Sequence, residues 1–497
     1  MNTKQIEEIN KQTAQITDGP FIVSTNKELL ADLETPVSAF YKLCENKPYS
    51  FLLESVEANE KIGRYSIIGT EPILIFKNQN NKTQLQDLVE NKTIDLEDNP
   101  FNALKSILKK IKVSGDKDSS SIGFVGYIGY ENIRWIEPKT KFLPAKNIPD
   151  VLLILPGKLI IFDHILHKVN LIAVNLTNDK KITEKKLAET KDKLKELLNE
   201  FNKTKNIKTL SLNYNNNIHI SYSSNYKKDE YLNIIKKAKE YIKKGDIFQV
   251  VPSQKLTLKG NYDGLLLYRA LRSINPSPYM FYLNLKDFQL AGSSPEVMVK
   301  SEKVGDEKFA YLRPIAGTYP RGKNEKEDLE YISKLSNDPK ERAEHLMLVD
   351  LARNDLGRVC ESGTIQVPEL MVIEKYSHVL HMVSLVKGTL KKDKTAIDLL
   401  CASFPAGTLS GAPKVRALEI IRELENEQRG PYGGCTGFFG LNDTINTCMT
   451  IRTFVIYKDH IEIQAGGGIV ADSDPENEFQ ETLRKGAALL NAVSLLQ

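Results

Sequence analysis

No cysteine here sits at a metal-binding spacing. The five, Cys44, Cys360, Cys401, Cys435 and Cys448, are scattered and form no CxxC or Cys/His pattern. This argues against a zinc-ribbon type of site and fits reduced thiols in a cytoplasmic protein. No apolar run is long enough to span a bilayer. The most apolar stretch, residues 151–162, is interrupted by Pro156, Gly157 and Lys158 and is expected to form two buried strands around a Pro-Gly turn. The opening residues, MNTKQIEEINKQTAQ, lack the apolar core of a secretory signal. Neither charge dominates: 68 basic against 64 acidic residues leave +4, which offers nothing to nucleic acid or to an anionic membrane. Repeats and low-complexity arrays are also missing.

What is present is a soluble globular composition, 41% hydrophobic and 27% charged over 497 residues, enough for two or three domains or one very large one. The first part reads as mostly strand, with β-rich runs at 51–56, 72–76, 122–130 and 151–162. A charged segment, about 178–220, has helical spacing in its middle and an Asn-rich end typical of a linker, so a domain boundary is expected near residue 220. The second part, 221–497, opens with a helix that Ser224 is expected to cap and Gly245 to end, with Tyr231, Ile234, Ile235, Ala238, Tyr241 and Ile242 on its apolar face. Strands and helices then mix. The expected fold class is α+β, with large antiparallel sheets flanked by helices.

The chemistry is carried first by two glutamate pairs, Glu341 with Glu344 and Glu478 with Glu481. Each has i,i+3 spacing, which stacks both carboxylates on one helix face. Two such faces suit a hard cation such as magnesium, which keeps open positions for a substrate oxygen. Spacing alone is weak, because 64 acids in 497 residues produce such pairs by chance, as at Glu327 and Glu330. The settings distinguish the chosen pairs. The first opens a helix that turns apolar from Leu346 except for Asp350 and Arg353, for which a structural ion pair is the simplest account. The second follows Asp474-Pro475, a cap and a first helical residue. Just upstream, Gly466, Gly467 and Gly468 allow a ligand to approach backbone N–H groups, and Arg452, read as a strand arginine, can meet an anion. His381 lies in a strand-like run. Glu296 follows a Ser-Pro turn at the head of another, a place for a general acid. Gly317 and Thr318 offer a backbone N–H and a hydroxyl between prolines.

In order along the chain, GDIFQVVPSQ, NPSPYMFYL, GSSPE, RPIAGT, ERAEHLMLVDLARNDLGRV, KYSHVLHMVSLVKG, FPAGTLSGAPKVRA, GPYGGCTGFFG, TIRTF and QAGGGIVADSDPENEFQET resemble the chorismate-utilising enzymes, most closely the large (aminase) subunit of anthranilate synthase. LLESVE and GRYSIIG resemble the regulatory region of that family. The resemblance implies that magnesium, held by Glu344 and Glu481 with Glu341 and Glu478 alongside, meets the ring carboxylate of chorismate. It implies that Gly317, Thr318, Tyr432, Arg452 and the backbone of Gly466 to Gly468 bind the substrate. Glu296 is the implied acid for the departing hydroxyl, His381 is implicated in eliminating pyruvate, and Glu478 is a base candidate. Related aminodeoxychorismate synthases of one type carry a lysine nucleophile where this chain has Ala316, and isochorismate and salicylate synthases carry a water-activating lysine where it has Gln249. Both lysines are missing, which favours ammonia as nucleophile. Gly467 departs from the alanine usual in relatives.

The resemblance further implies an L-tryptophan feedback site formed by Ser55 with Pro278, Tyr279 and Met280. None of the five cysteines lies in a Gly-rich nucleophile elbow, so glutamine use requires a separate glutamine amidotransferase subunit. Two other readings remain open from the sequence: an aminodeoxychorismate synthase lacking the lysine, and a catalytically inactive tryptophan sensor.

Overall fold

The structure, a computed structural model, describes residues 20–55, 63–114, 121–145, 147–177, 184–207, 209–213, 220–376 and 379–497. The fold is α+β, as expected, with large antiparallel sheets flanked by helices. Among the described residues no helix is long and apolar enough to cross a membrane.

Residues 151–162 do not form two strands around a turn. Val151–Asp163 is one strand, and it pairs along its length with Tyr65–Gln79. Pro156 faces Pro72, and the register slips between Pro72 and Leu74. Prolines that lack donors thus oppose each other at a bulge, where no ladder bond is lost, and both strands bend there. One half of Val151–Asp163 pairs with Gly123–Ile128, the other with Lys168–Thr177.

Sheet pairing crosses residue 220. Ser50–Glu54 pairs with Tyr279–Asn284, and Gly123–Ile128 pairs with Cys435–Gly440. Residues 214–219, beside the expected boundary, lie outside the described residues. A large apolar core fills the space between the sheets, and a second packs the helices Pro36–Cys44, Gly264–Ile274 and Pro475–Ser494 against the strands.

The helix opening the second part begins at Lys228, not after Ser224. Glu230 caps it through the Lys227 N–H, while Ser224 Oγ accepts from Tyr226 N–H in the turn before it. Gly245, at φ +81°, ends it as expected. Asp350 and Arg353 pair at 3.1 Å on an exposed face, so this helix is not buried all round. The buried charge on the same helix is Asp355, 3.0 Å from Lys414.

Candidate active site

Both glutamate-bearing helices start alike. Asp338 and Asp474 are N-caps, accepting from Glu341 N–H and Asn477 N–H, and Pro339 and Pro475 follow at the first helical position. The helices are Pro339–Gly357 and Pro475–Ser494, so all four glutamates fall in the first two turns, where the helix dipole favours negative charge. Burial and mutual repulsion outweigh that help at two of them. Glu341 is raised above the usual carboxylate range by burial, then by Glu344, with Glu481 also contributing. Glu478 is raised by burial, then by Glu481, against a hydrogen bond from Ser473. The two helices therefore bring their carboxylates into one electrostatic neighbourhood.

Among the described residues no three carboxylate, imidazole or thiol groups converge as a preformed metal cage. Glu481 instead pairs with Lys485 at 2.7 Å, and Lys485 also donates to Gly466 O at 3.0 Å. The donor set still fits magnesium, which takes one or two carboxylates plus waters and substrate oxygens, and clustered carboxylates that raise one another's pKa are relieved by a cation.

The glycines form the opposite wall. A Cβ on Gly317 (φ +68°) would lie 3.0 Å from Glu341 Oε2, one on Gly467 3.2 Å from Glu478 Oε2, and one on Gly468 2.7 Å from Gln249 Nε2. Each glycine thus leaves room for a polar side chain of the site. At Gly467, an alanine would press on Glu478. Gln249 bridges the walls, donating to Glu344 Oε1 at 3.4 Å, while its own Oε1 is buried without a partner among the described residues. Tyr432 is buried beside Gly466, which hydrogen-bonds its hydroxyl, and burial pushes the phenol up to about 12.

His381, on the strand Val379–Thr389, lies 3.2 Å from Gly317 O and 3.1 Å from Thr318 Oγ1 through Nδ1. A carbonyl only accepts, so the proton sits on Nδ1 and Nε2 carries the lone pair. Burial holds this imidazole down to about 4, so it is neutral at physiological pH. Glu296 is buried, not an exposed turn residue. Burial raises its carboxyl to about 8, with Thr408 donating to Oε1 at 3.3 Å. Arg452 does not lie in a strand. It occupies a turn at φ +47° between Ile445–Met449 and Thr453–Ile456, and burial lowers its pKa while Glu296 opposes that shift. A protonated acid, a neutral imidazole and a half-buried cation form a set suited to eliminations on an anionic substrate.

At the other end of the strand pair, Ser55 follows Glu54, which is in register with Met280, so Ser55 is next to Tyr279. The Ser55 hydroxyl is buried and has no partner among the described residues. Glu54 itself is tied to Arg272 at 3.0 Å.

Sequence reasoning missed Lys485, although its i,i+4 spacing from Glu481 was there to be read. It also missed Thr408, for which no local signal exists.

The chorismate binding enzyme family matches residues 49–491. Anthranilate synthase component 1 of Synechocystis sp. is 46% identical over 486 residues, covering 95% of this chain and 96% of that protein. The Acetivibrio thermocellus protein of the same name is 43% identical, with 95% of each covered. Among solved structures, anthranilate synthase component I from Streptococcus pneumoniae TIGR4 superposes with a TM-score of 0.76 at 30% identity, covering 93% of this chain and 98% of that one. The menaquinone-specific isochorismate synthase of Escherichia coli shares the fold, with a TM-score of 0.72 at 19% identity and coverage of 100% and 99%. The chain belongs to the chorismate-binding enzyme family and, within it, stands with the anthranilate synthase components 1 as an enzyme that acts on chorismate.

Proposed function

We propose that the chain aminates chorismate and releases pyruvate to form anthranilate, the entry step to tryptophan, drawing ammonia from a glutamine amidotransferase partner. The observation that carries this reading is Glu296, a buried carboxyl raised to about 8 and so protonated at neutral pH, 8% exposed and within the field of Arg452.

Ammonia attacks C2 of the ring, both ring double bonds move one place around the ring, the C4–O bond breaks, and the ammonium formed at C2 gives up one proton to leave the amine. Glu296 delivers its proton to that oxygen, so the hydroxyl leaves as water and aminodeoxyisochorismate remains. Ammonia needs no deprotonation before attack, which suits the amide at Gln249 and the methyl group at Ala316 better than a lysine at either place. The C2 proton and the enolpyruvyl group then depart, and the ring becomes aromatic. His381, with its lone pair on Nε2, assists this elimination, and Glu478, raised by burial, is the base candidate. Arg452 meets the enolpyruvyl carboxylate through its planar fork, with the Tyr432 hydroxyl, Gly317, Thr318 and the backbone of Gly466 to Gly468 holding the rest. Glu344 and Glu481 would hold magnesium, with Glu341 beside them, and the ion supplies charge neutralisation and orientation at the ring carboxylate.

The name component 1 carried by the relatives supports a second component. L-tryptophan would inhibit by filling the space around Ser55, Pro278, Tyr279 and Met280, with residues 1–220 the regulatory part and 221–497 the catalytic part. The buried hydroxyl of Ser55, without a partner among the described residues, supports a polar ligand there. The reduced cysteines fit the cytoplasm. Purified protein given chorismate, magnesium and an ammonium salt should release pyruvate and fluorescent ortho-aminobenzoate in equal amounts. Accumulation of aminodeoxychorismate instead would overturn the assignment, and tryptophan binding without pyruvate release would leave only a sensor.

A further inference from the structure

Arg429 takes no part in the chemistry above, yet its side chain is only 1% exposed. A buried guanidinium must satisfy a rigid fork of N–H donors. Here Nε and Nη2 donate to Glu425 at 2.9 and 2.7 Å, Nη1 donates to Leu409 O at 2.8 Å, and Nη2 also donates to Val251 O at 2.7 Å. Its faces lie against two rings, Tyr130 at 4.4 Å and Tyr432 at 5.6 Å from the centroids. Its backbone is held too: the N–H groups of Arg429 and Gly430 donate to the two oxygens of Glu131 at 2.6 and 3.0 Å.

Both walls of the anion cradle hang from this group. One is Tyr432, whose ring lies beneath the guanidinium carbon. The other is reached through the counter-ion: Ser253 N–H and Oγ–H both donate to Glu425 Oε1 at 2.8 Å, Ser253 is in register with Gly466, and Gly467 N–H donates to Pro252 O at 3.2 Å. A buried ion pair is a poor source of stability compared with apolar packing of the same shape, but it fixes geometry in a way that apolar contacts do not.

We propose that Arg429, with Glu425 as its counter-ion, is a positioning residue: it sets the Tyr432 hydroxyl and the Gly466–Gly468 backbone at the separation that a carboxylate of the substrate requires. This rests on reading those groups as substrate-binding. Tyr130, from the N-terminal half of the chain, also lies against the guanidinium, and its hydroxyl is buried without a partner among the described residues, so the ring alone matters.

The test compares Ser253→Ala, Tyr130→Leu, Tyr130→Phe and Tyr432→Phe by steady-state kinetics with ammonium salt, chorismate affinity and thermal unfolding. Ser253→Ala and Tyr130→Leu should raise the chorismate KM and Kd about tenfold, the size expected for one misplaced hydrogen bond, with kcat within about twofold. Tyr130→Phe should restore the wild-type KM, which a role limited to stability would not require. If Tyr130→Leu fails to fold, Ser253→Ala, which deletes one oxygen, still decides the matter. An unchanged KM in Ser253→Ala alongside a raised KM in Tyr432→Phe would overturn the positioning role and leave the cradle standing. An unchanged KM in Tyr432→Phe would remove the cradle, and the positioning role with it.

Discussion

Glu296→Gln separates the cost of holding the acid from its use. The carboxyl is held at about 8 against 4.5 in the unfolded chain, chiefly by burial. Between those values the native protein keeps a proton that the unfolded chain has lost, so wild-type stability falls as pH rises through this window, and the fall is complete above about 8. The full displacement corresponds to at most about 5 kcal/mol. Glutamine has the same shape, accepts the Thr408 hydroxyl as the carboxyl does, and carries no ionisable proton. The variant should therefore match the wild type in stability near pH 5 and exceed it by a growing margin up to pH 9, read from urea unfolding at three pH values. Its amination rate should fall by about 10²–10⁴, the usual share of a positioned acid. Elimination from supplied aminodeoxyisochorismate should be spared. A stability difference independent of pH, together with wild-type amination, would refute both the burial argument and the role.

Glu344→Gln and Glu481→Gln should each abolish magnesium-dependent turnover, as followed by pyruvate release across a magnesium titration; an unchanged magnesium requirement would count against the ligand assignment. The Glu481–Lys485 pair is half exposed, so its loss should cost under about 1 kcal/mol of stability. His381→Met should slow elimination more than amination, so the amino intermediate accumulates by chromatography. Because burial holds the imidazole at about 4, the wild-type rate should show no limb near pH 6.5 from this group. Substituting Ser55 with a bulky residue such as phenylalanine should relieve tryptophan inhibition and spare turnover; inhibition curves that superpose on the wild type would remove Ser55 from the pocket.

The candidate site was legible where its signals are local. Asp-Pro helix starts, glutamates one turn apart and a glycine triplet lie within a few residues of each other, and the backbone rules behind them act over that range. The α+β class followed in the same way from alternating and helical periodicities. Errors came where context decided. Ser224 has the chemistry of a cap but serves a turn, because Glu230 claims the helix start. Pro156 and Gly157 look like a hairpin, yet an opposing bulge at Pro72 turns them into a bend within one strand.

The sequence by itself determined the residue types, their spacing and the helix ends that carry the glutamates, since capping and stacking need only neighbouring residues. Tertiary structure alone decided which carboxyl is taken out of water. Glu296 and Glu481 are both acids in strong motifs, but one is desolvated and raised to about 8 while the other is half exposed beside Lys485. Desolvation and charge pairing depend on atoms brought together from distant parts of the chain. For the same reason Arg429, joined to Tyr130 across about three hundred residues, had no sequence signal at all.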